Sequence, residues 1–129
     1  MKSSVVLDAS AVMAMLNQET GAERLTPDVL LHAVCSTVNI AEVQGKLVER
    51  GLDPEDAWED VMSVVRHVIP FSTEHAKAAG TLVRQMRSFG LSLGDRACLA
   101  LALEHNAPVY TADRSWKSLK LPIPVHLIR

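Results

Sequence analysis

Short apolar segments alternate along this chain with longer segments of helical periodicity, and this alternation limits the possible folds more than any other sequence feature. The apolar segments cover residues 5–7, 33–35, 68–71, 108–111 and 124–128. Helical patterns lie over residues 11–16, 39–50, 73–88 and 95–103, and a further helix is predicted to start after Asp53. Strands separated by helices predict an α/β domain with a mostly parallel sheet covered by helices on both faces.

Prolines refine this prediction at three places. Pro70 and Pro124 lie in the third and fifth apolar segments. Because proline cannot donate a hydrogen bond to a neighbouring strand, both segments are predicted to be edge strands. Residues 21–31 are harder to interpret: they are either helical or irregular, with Pro27 expected to interrupt a helix there.

Length and composition predict the class of protein. The 129 residues predict a single domain over residues 1–129, and a hydrophobic content of 48% is enough for a sizeable core. The net charge of −2 disfavours a protein that coats DNA or RNA by electrostatics alone, because such proteins are strongly basic. It does not exclude a nuclease, since bound cations neutralise an acidic catalytic centre.

Cysteine usage and hydropathy predict the compartment. Cys35 and Cys98 each lie in an apolar run without a CxxC pattern, which predicts two buried, reduced thiols. The acid at Asp8 interrupts the first apolar run, so no signal peptide is expected. No apolar run approaches the roughly 20 residues of a membrane span. We therefore expect a cytoplasmic protein without membrane association.

Isolated acidic residues fall where predicted strands end or predicted helices begin. Asp8 closes the first strand, Glu42 lies in the first turn of the helix after the second strand, and Asp113 follows the fourth strand. The carboxyl ends of parallel strands meet at one edge of a sheet, where ligands bind in such folds. Asp95 begins a predicted helix that can carry it to the same edge. The sequence therefore predicts four carboxylates in one cleft.

Each acid also has an ordinary structural interpretation. Acids are favoured at helix N-termini, where they accept backbone hydrogen bonds and face the positive end of the helix dipole. The structural alternatives are a solvated turn for Asp8, a capping box of Glu42 with Asn39, a capping box of Asp95 with Ser92, and an N-cap for Asp113. They must hold at all four positions to explain the pattern, so the joint placement favours a functional cluster.

Four carboxylates in one cleft imply a cation. They would repel one another without positive charge between them. Mg²⁺ and Mn²⁺ prefer hard oxygen ligands, and the acids have no His or Cys partner that would favour Zn²⁺. One or two such ions can activate water and neutralise developing charge in phosphodiester hydrolysis. The acids therefore predict this reaction without a side-chain nucleophile.

Around these acids the sequence resembles PIN-domain proteins, specifically the VapC-like ribonuclease toxins of toxin–antitoxin pairs. The matching segments lie in register along the whole chain and read VVLDASAV (5–12), STVNIAEV (36–43), LGDRACLA (93–100) and VYTADRSW (109–116). The resemblance implies a single PIN-like α/β domain with a parallel sheet of four or five strands in the order 3-2-1-4-5. That order places the two proline-marked strands at the edges.

The resemblance gives the four acids a role. It implies that Asp8, Glu42, Asp95 and Asp113 are both the catalytic residues and the ligands of Mg²⁺ or Mn²⁺. Many relatives carry a second acid two positions after the last of these, where this chain has Ser115. This departure leaves open whether one or two ions are bound.

The resemblance also implies an activity and partners. The expected activity is metal-dependent endonucleolytic cleavage of RNA, with tRNA as a candidate substrate. The expected partners are a VapB-like antitoxin and a second copy of the chain. Polar positions that support the acids are matched by Ser10, Asn39 and Thr111. Candidate contacts to RNA phosphates are Arg96, Arg114 and Lys117.

A helical stripe of Trp58, Met62 and Val65 is open to two interpretations. Its spacing is typical of a helix face packed on the core, and equally of an exposed face that forms a dimer contact or an antitoxin groove. Met13 and Met15 raise the same question.

Other functions fit the residues less well. Haloacid-dehalogenase-like phosphatases need a DxD motif after the first strand, where this chain has Asp8-Ala9-Ser10. Receiver domains need a phosphoacceptor Asp at the end of the third strand, which here ends Phe71-Ser72. A PIN scaffold that only binds RNA or protein, without catalysis, is the remaining alternative.

Overall fold

The computed structural model, which describes residues 4–129, contains one sheet of five parallel strands. The strands are β1 (Val5–Leu7), β2 (Ala33–Ser36), β3 (His67–Ile69), β4 (Val109–Thr111) and β5 (Val125–Leu127). Their order across the sheet is β3-β2-β1-β4-β5, and every neighbouring pair is parallel. This confirms the α/β class that the sequence pattern predicted and the strand order that the family resemblance implied.

Helices connect the strands and cover both faces of the sheet. The α-helices of the described residues are α1 (Ala9–Asn17), α2 (Pro27–Leu31), α3 (Thr37–Glu49), α4 (Pro54–Val64), α5 (Thr73–Met86) and α6 (Leu93–His105). Short 3₁₀ turns lie at Ala22–Arg24, Arg87–Phe89 and Arg114–Ser118. Most predicted helices are present with boundaries shifted by a few residues.

The core lies on both sides of the sheet. Val6 and Val34 pack with α5 and α6, while Leu7 and Cys35 pack with α1, α3 and α4. Successive residues of a strand point to opposite faces. Val6 and Leu7 in β1, like Val34 and Cys35 in β2, are therefore all buried because helices cover both faces. This explains why the strands appear in the sequence as continuous apolar runs.

Two predictions about local structure were wrong. Pro27 does not interrupt a helix; it begins α2, with the Thr26 side chain capping the helix by accepting a hydrogen bond from the Val29 amide. Proline is favoured at this position because the first helical residue needs no amide donor. Pro70 and Pro124 flank the edge strands rather than lying within them, although both strands are at the edges as predicted.

The apolar stripe of α4 is divided between core and surface. Val65 is buried and Met62 is half-buried, whereas the Trp58 side chain is 43% exposed. The core interpretation is thus confirmed for Val65 but not for Trp58. None of the helices of residues 4–129 is both long and apolar enough to cross a bilayer.

Candidate active site

The carboxyl ends of the three central strands place the predicted acids at one edge of the sheet. Strands β2, β1 and β4 are neighbours, so the segments that follow them lie side by side. Asp8 directly follows β1, Glu42 lies in α3 directly after β2, and Asp113 follows β4. Helix α6 packs against β1 and β2, and its first turn carries Asp95. The charge of Asp95 is close enough to raise the pKa of Asp8.

Asp8 is the most enclosed of the four acids. Its side chain is 3% exposed, which contradicts the solvated-turn alternative. One carboxylate oxygen accepts hydrogen bonds from the Ala11 amide at 2.8 Å and the Ser10 hydroxyl at 2.7 Å. The other accepts a hydrogen bond from the Thr111 hydroxyl at 2.5 Å. Asp8 is therefore the N-cap of α1 and is held rigidly against β4.

Burial makes the negative charge of Asp8 costly. Desolvation raises the pKa of its carboxyl to about 6, against the lowering effect of the hydrogen bonds from Thr111, Ser10 and Ala11. No Lys, Arg or His of residues 4–129 forms an ion pair with Asp8. A buried carboxylate without a cationic partner is a position at which a bound cation would supply the missing positive charge.

Two hydroxyl groups join the end of β1 to the end of β4. The Ser10 hydroxyl accepts a hydrogen bond from the Ala112 amide at 2.9 Å and lies 3.3 Å from the Thr111 hydroxyl. The Thr111 hydroxyl in turn accepts a hydrogen bond from the Asp113 amide at 3.0 Å. The backbone at Asp113 is thus connected through one hydroxyl to the carboxylate of Asp8.

Glu42 is held between α3 and α6. The Asn39 amide group donates hydrogen bonds to Glu42 Oε1 and to the Gly94 carbonyl oxygen, both at 3.0 Å. Helix α3 begins at Thr37 with Ser36 as its N-cap, so the capping box predicted between Asn39 and Glu42 is not formed. Asn39 instead bonds the side chain of Glu42 directly.

The other two capping alternatives are present. Asp95 and Ser92 form a reciprocal capping box, with the Ser92 amide 3.0 Å from Asp95 Oδ2. Asp113 caps the 3₁₀ turn Arg114–Ser118 and accepts hydrogen bonds from the Ser115 amide and hydroxyl. Capping therefore accounts for part of the sequence pattern, and it also fixes these two acids at the sheet edge.

The donor set fits a hard divalent cation, although the carboxylates are not gathered around one point. Among residues 4–129, no three His, Cys, Asp or Glu side chains converge closely enough to bind one ion. Each of the four acids instead accepts hydrogen bonds from nearby protein groups. Burial raises the pKa of both thiols, Cys35 and Cys98, which lie within the hydrophobic core. The candidate ligands for a cation are thus carboxylate oxygens, those of buried Asp8 and of the other three acids at this edge of the sheet.

The candidate RNA contacts differ in their surroundings. The Arg96 guanidinium donates a hydrogen bond to the Ala79 carbonyl oxygen at 2.9 Å and so ties α6 to α5. Arg114 and Lys117 are exposed in the 3₁₀ turn that follows Asp113. Packing between helices thus accounts for Arg96, while the other two side chains face solvent beside the acids.

Sequence reasoning missed the importance of Gly94. This buried residue lies in the first turn of α6, and a Cβ placed on it would overlap the carboxylate of Glu42. The available signal was a glycine directly before the predicted helix of residues 95–103, next to a candidate ligand. A cavity of about 630 Å³ lies elsewhere, along α5 beside Gly80 and Arg84, and none of the four acids lines it.

In parallel α/β sheets ligands bind outside the carboxyl ends of the strands, which is where these carboxylates lie. Residues 5–121 match the family model of the PIN domain. The chain therefore belongs to the PIN domain family. No curated protein sequence matches it significantly.

Solved structures share the fold over nearly the whole chain. The DNA-bound VapBC of Salmonella typhimurium matches with a TM-score of 0.76 at 16% identity, covering 99% of this chain and 100% of that chain. FitAcB of Neisseria gonorrhoeae matches with a TM-score of 0.73 at 16% identity, covering 96% and 97%. VapC20 of Mycobacterium tuberculosis, a Sarcin-Ricin loop cleaving toxin, matches with a TM-score of 0.72 at 19% identity, covering 89% and 94%.

Proposed function

We propose that this protein is a metal-dependent endoribonuclease toxin, and that Asp8, Glu42, Asp95 and Asp113 hold one or two Mg²⁺ or Mn²⁺ ions and carry the catalysis. The observation that supports this most directly is Asp8, a buried carboxylate without a cationic partner among the described residues, beside the charge of Asp95. Membership of the PIN family supports the same reaction class. The whole chain, residues 1–129, would act as one nuclease domain.

The chain's own residues prepare the site. A bound divalent ion supplies a more acidic water and neutralises charge on the phosphate in the transition state. Ser10, Thr111 and the Ala11 amide fix both oxygens of Asp8, so this carboxylate does not reorganise when a cation or substrate arrives. Arg114 and Lys117, exposed in the 3₁₀ turn that Asp113 caps, would contact phosphates of the RNA.

The proposed substrate is structured RNA, with tRNA as the first candidate, and the proposed inhibitor is a VapB-like antitoxin. Several structural relatives are complexes with antitoxins, which supports this kind of partner. A homodimer is proposed as well, and exposed Trp58 provides one apolar position for either contact. Both RNA substrate and antitoxin would be met in the cytoplasm.

Cleavage of total cellular RNA by the purified protein tests the proposal. Discrete fragments are expected with Mg²⁺ or Mn²⁺ and are expected to vanish with EDTA. The double variant Asp8→Asn/Asp95→Asn should lower the rate by at least about 10²-fold, because the ion would lose two charged ligands. Glu59→Gln, at an exposed acid of α4, is the matched control and should cleave like the wild type.

The opposite result would favour the binding alternative. Intact RNA under every metal condition, from folded protein freed of antitoxin, would contradict the nuclease proposal. Retention of RNA or of a protein partner by that inactive protein would then identify a PIN scaffold used for binding alone.

A further inference from the structure

We propose that Gly94 and Asn39 form a socket for the carboxylate of Glu42, and that glycine at position 94 leaves room for this carboxylate in the position where Asn39 holds it. The functional part of this inference, that the socket positions a metal ligand, rests on the proposed function. The socket itself is defined by contacts between α3 and α6 and can be tested without metal or RNA.

The backbone does not explain a glycine at position 94. Gly94 lies inside α6 and is not among the glycines with positive φ, which are Gly21, Gly51 and Gly90. Alanine is the better helix former at a position with ordinary helical backbone. Space does explain it, because the three atoms nearest to a Cβ on Gly94 are Oε1, Cδ and Oε2 of Glu42. The carboxylate occupies the volume that any larger residue would fill.

Asn39 closes the other side of the socket. Its side chain is 1% exposed, and its amide nitrogen bonds both Glu42 Oε1 and the Gly94 carbonyl oxygen at 3.0 Å. One buried amide therefore fastens the carboxylate to the residue whose missing side chain makes room for it. The Asn39 carbonyl oxygen is buried without a hydrogen-bond partner among the described residues, so the donor side of the amide alone holds this contact.

The socket determines where Glu42 lies relative to the rest of the site. Asp95 is the next residue of α6, so a carboxylate seated against Gly94 contacts the turn of helix that carries a second acid. A methyl group at position 94 would push Glu42 away from α6 and break its bond to Asn39. Groups that orient a metal ligand typically change metal affinity or activity by about 10–100-fold when removed.

A stability cycle tests the socket directly. The urea midpoint would be measured in EDTA for Gly94→Ala in the wild-type and in the Glu42→Ala background. We expect Gly94→Ala to lower the midpoint in the wild type but not where the carboxylate is absent. Gly45→Ala is the matched control: Gly45 is an exposed helical glycine with nothing within 4 Å of a Cβ, so its replacement should raise the midpoint in both backgrounds.

Metal binding tests the positioning role. Mn²⁺ affinity would be measured by electron paramagnetic resonance, with RNA cleavage measured alongside. We expect Gly94→Ala to weaken Mn²⁺ binding by at least about 10-fold and Gly45→Ala to leave it unchanged. In the double variant Gly94→Ala/Glu42→Asp the carboxylate is one methylene shorter and clears the new methyl group. This variant should bind Mn²⁺ more tightly than Gly94→Ala alone.

The outcomes separate the two proposals. If Gly94→Ala lowers the midpoint equally in both backgrounds, the socket is wrong whatever the RNA assay shows. If the cycle shows coupling but the wild type neither binds Mn²⁺ nor cleaves RNA, the proposed function fails, and the positioning role fails with it. A functional wild type whose Gly94→Ala loss is not relieved by the shorter acid would also overturn the positioning role.

Discussion

At Asp8, folding and the proposed chemistry make opposite demands on one carboxylate. Folding buries it at the N-terminus of α1, where it accepts three hydrogen bonds. Burial raises its pKa to about 6, so the charge that a metal ligand needs is disfavoured until a cation is present. The ionised carboxylate of Asp8 therefore lowers the free energy of unfolding of the metal-free protein, as is common for groups at functional sites.

The first prediction follows from the raised pKa of Asp8. An acid whose pKa rises on folding stabilises the protein while it is protonated, and this contribution is lost as the pH rises through its folded pKa. Between an ordinary 3.8 and about 6, the loss amounts to about 3 kcal/mol in metal-free protein. Asp8→Asn has no such titration, so it should match the wild type near pH 3, below the unfolded pKa of 3.8, and exceed it by about that amount near pH 7.5.

Urea unfolding in EDTA at several pH values measures this difference directly. Adding Mg²⁺ at pH 7.5 should raise the stability of the wild type and not that of Asp8→Asn, since a cation compensates only the ionised carboxylate. Identical pH profiles for the two proteins would show that Asp8 is not desolvated as described.

At the scale of elements, the turn after α1 meets the end of the chain. Gly21 has φ 98°, and a Cβ on it would overlap the backbone carbonyl of Ile128, just beyond β5. Backbone atoms cannot move aside as a flexible side chain can. The close approach fastens the connection between α1 and α2 to the edge of the sheet, with an Arg129–Glu19 ion pair at 2.9 Å beside it.

The second prediction compares two glycines with left-handed backbone. Gly21→Ala and Gly51→Ala should each lower the free energy of unfolding by about 1 kcal/mol, because alanine is strained at positive φ. Only Gly21→Ala should lower the free energy of unfolding by a further 1–3 kcal/mol or so through overpacking, because nothing lies within 4 Å of a Cβ at Gly51. Chemical denaturation of the two variants gives the comparison, and equal losses would contradict the close approach to Ile128.

At the scale of the whole molecule, helix α4 exposes a large apolar side chain at the surface of the domain. Trp58 is 43% exposed although buried Ala57 and Val61 lie on the same helix. Tryptophan is enriched at the energetic centres of protein interfaces, so an exposed one on a rigid helix favours a partner contact over a purely structural role.

The third prediction concerns this contact. Trp58→Ala should leave the urea midpoint and RNA cleavage by the free enzyme nearly unchanged, but weaken antitoxin binding or self-association by at least about 2 kcal/mol. Sedimentation measures self-association, and titration with a VapB-like antitoxin measures partner binding. Val83→Ala, at a residue 42% exposed on the opposite side of the sheet, is the control. Unchanged affinity in both assays would make Trp58 an ordinary surface residue.

Periodicity was enough to predict the α/β class, because burial on both faces is a property of residue type. The third and fifth strands were correctly predicted at the edges, although the prolines that suggested this flank the strands. The family resemblance supplied the central strand order. Asp8, Glu42 and Asp113 were placed at one edge because parallel strands share a direction. The Asp95 capping box was also foreseen as an alternative, since its partner Ser92 is local in sequence.

Other features depended on contacts between segments that are distant in the chain. Trp58 and Val61 lie three residues apart on α4, so the periodicity assigns both to the same helix face. Only the packing of α4 on its neighbours leaves Trp58 exposed and buries Val61. A Cβ at position 94 would overlap the carboxylate of Glu42 because α3 brings this side chain against α6. A sequence specifies which groups are present and how they alternate, but the space left between two helices is a property of their packing, and only the tertiary structure determines it.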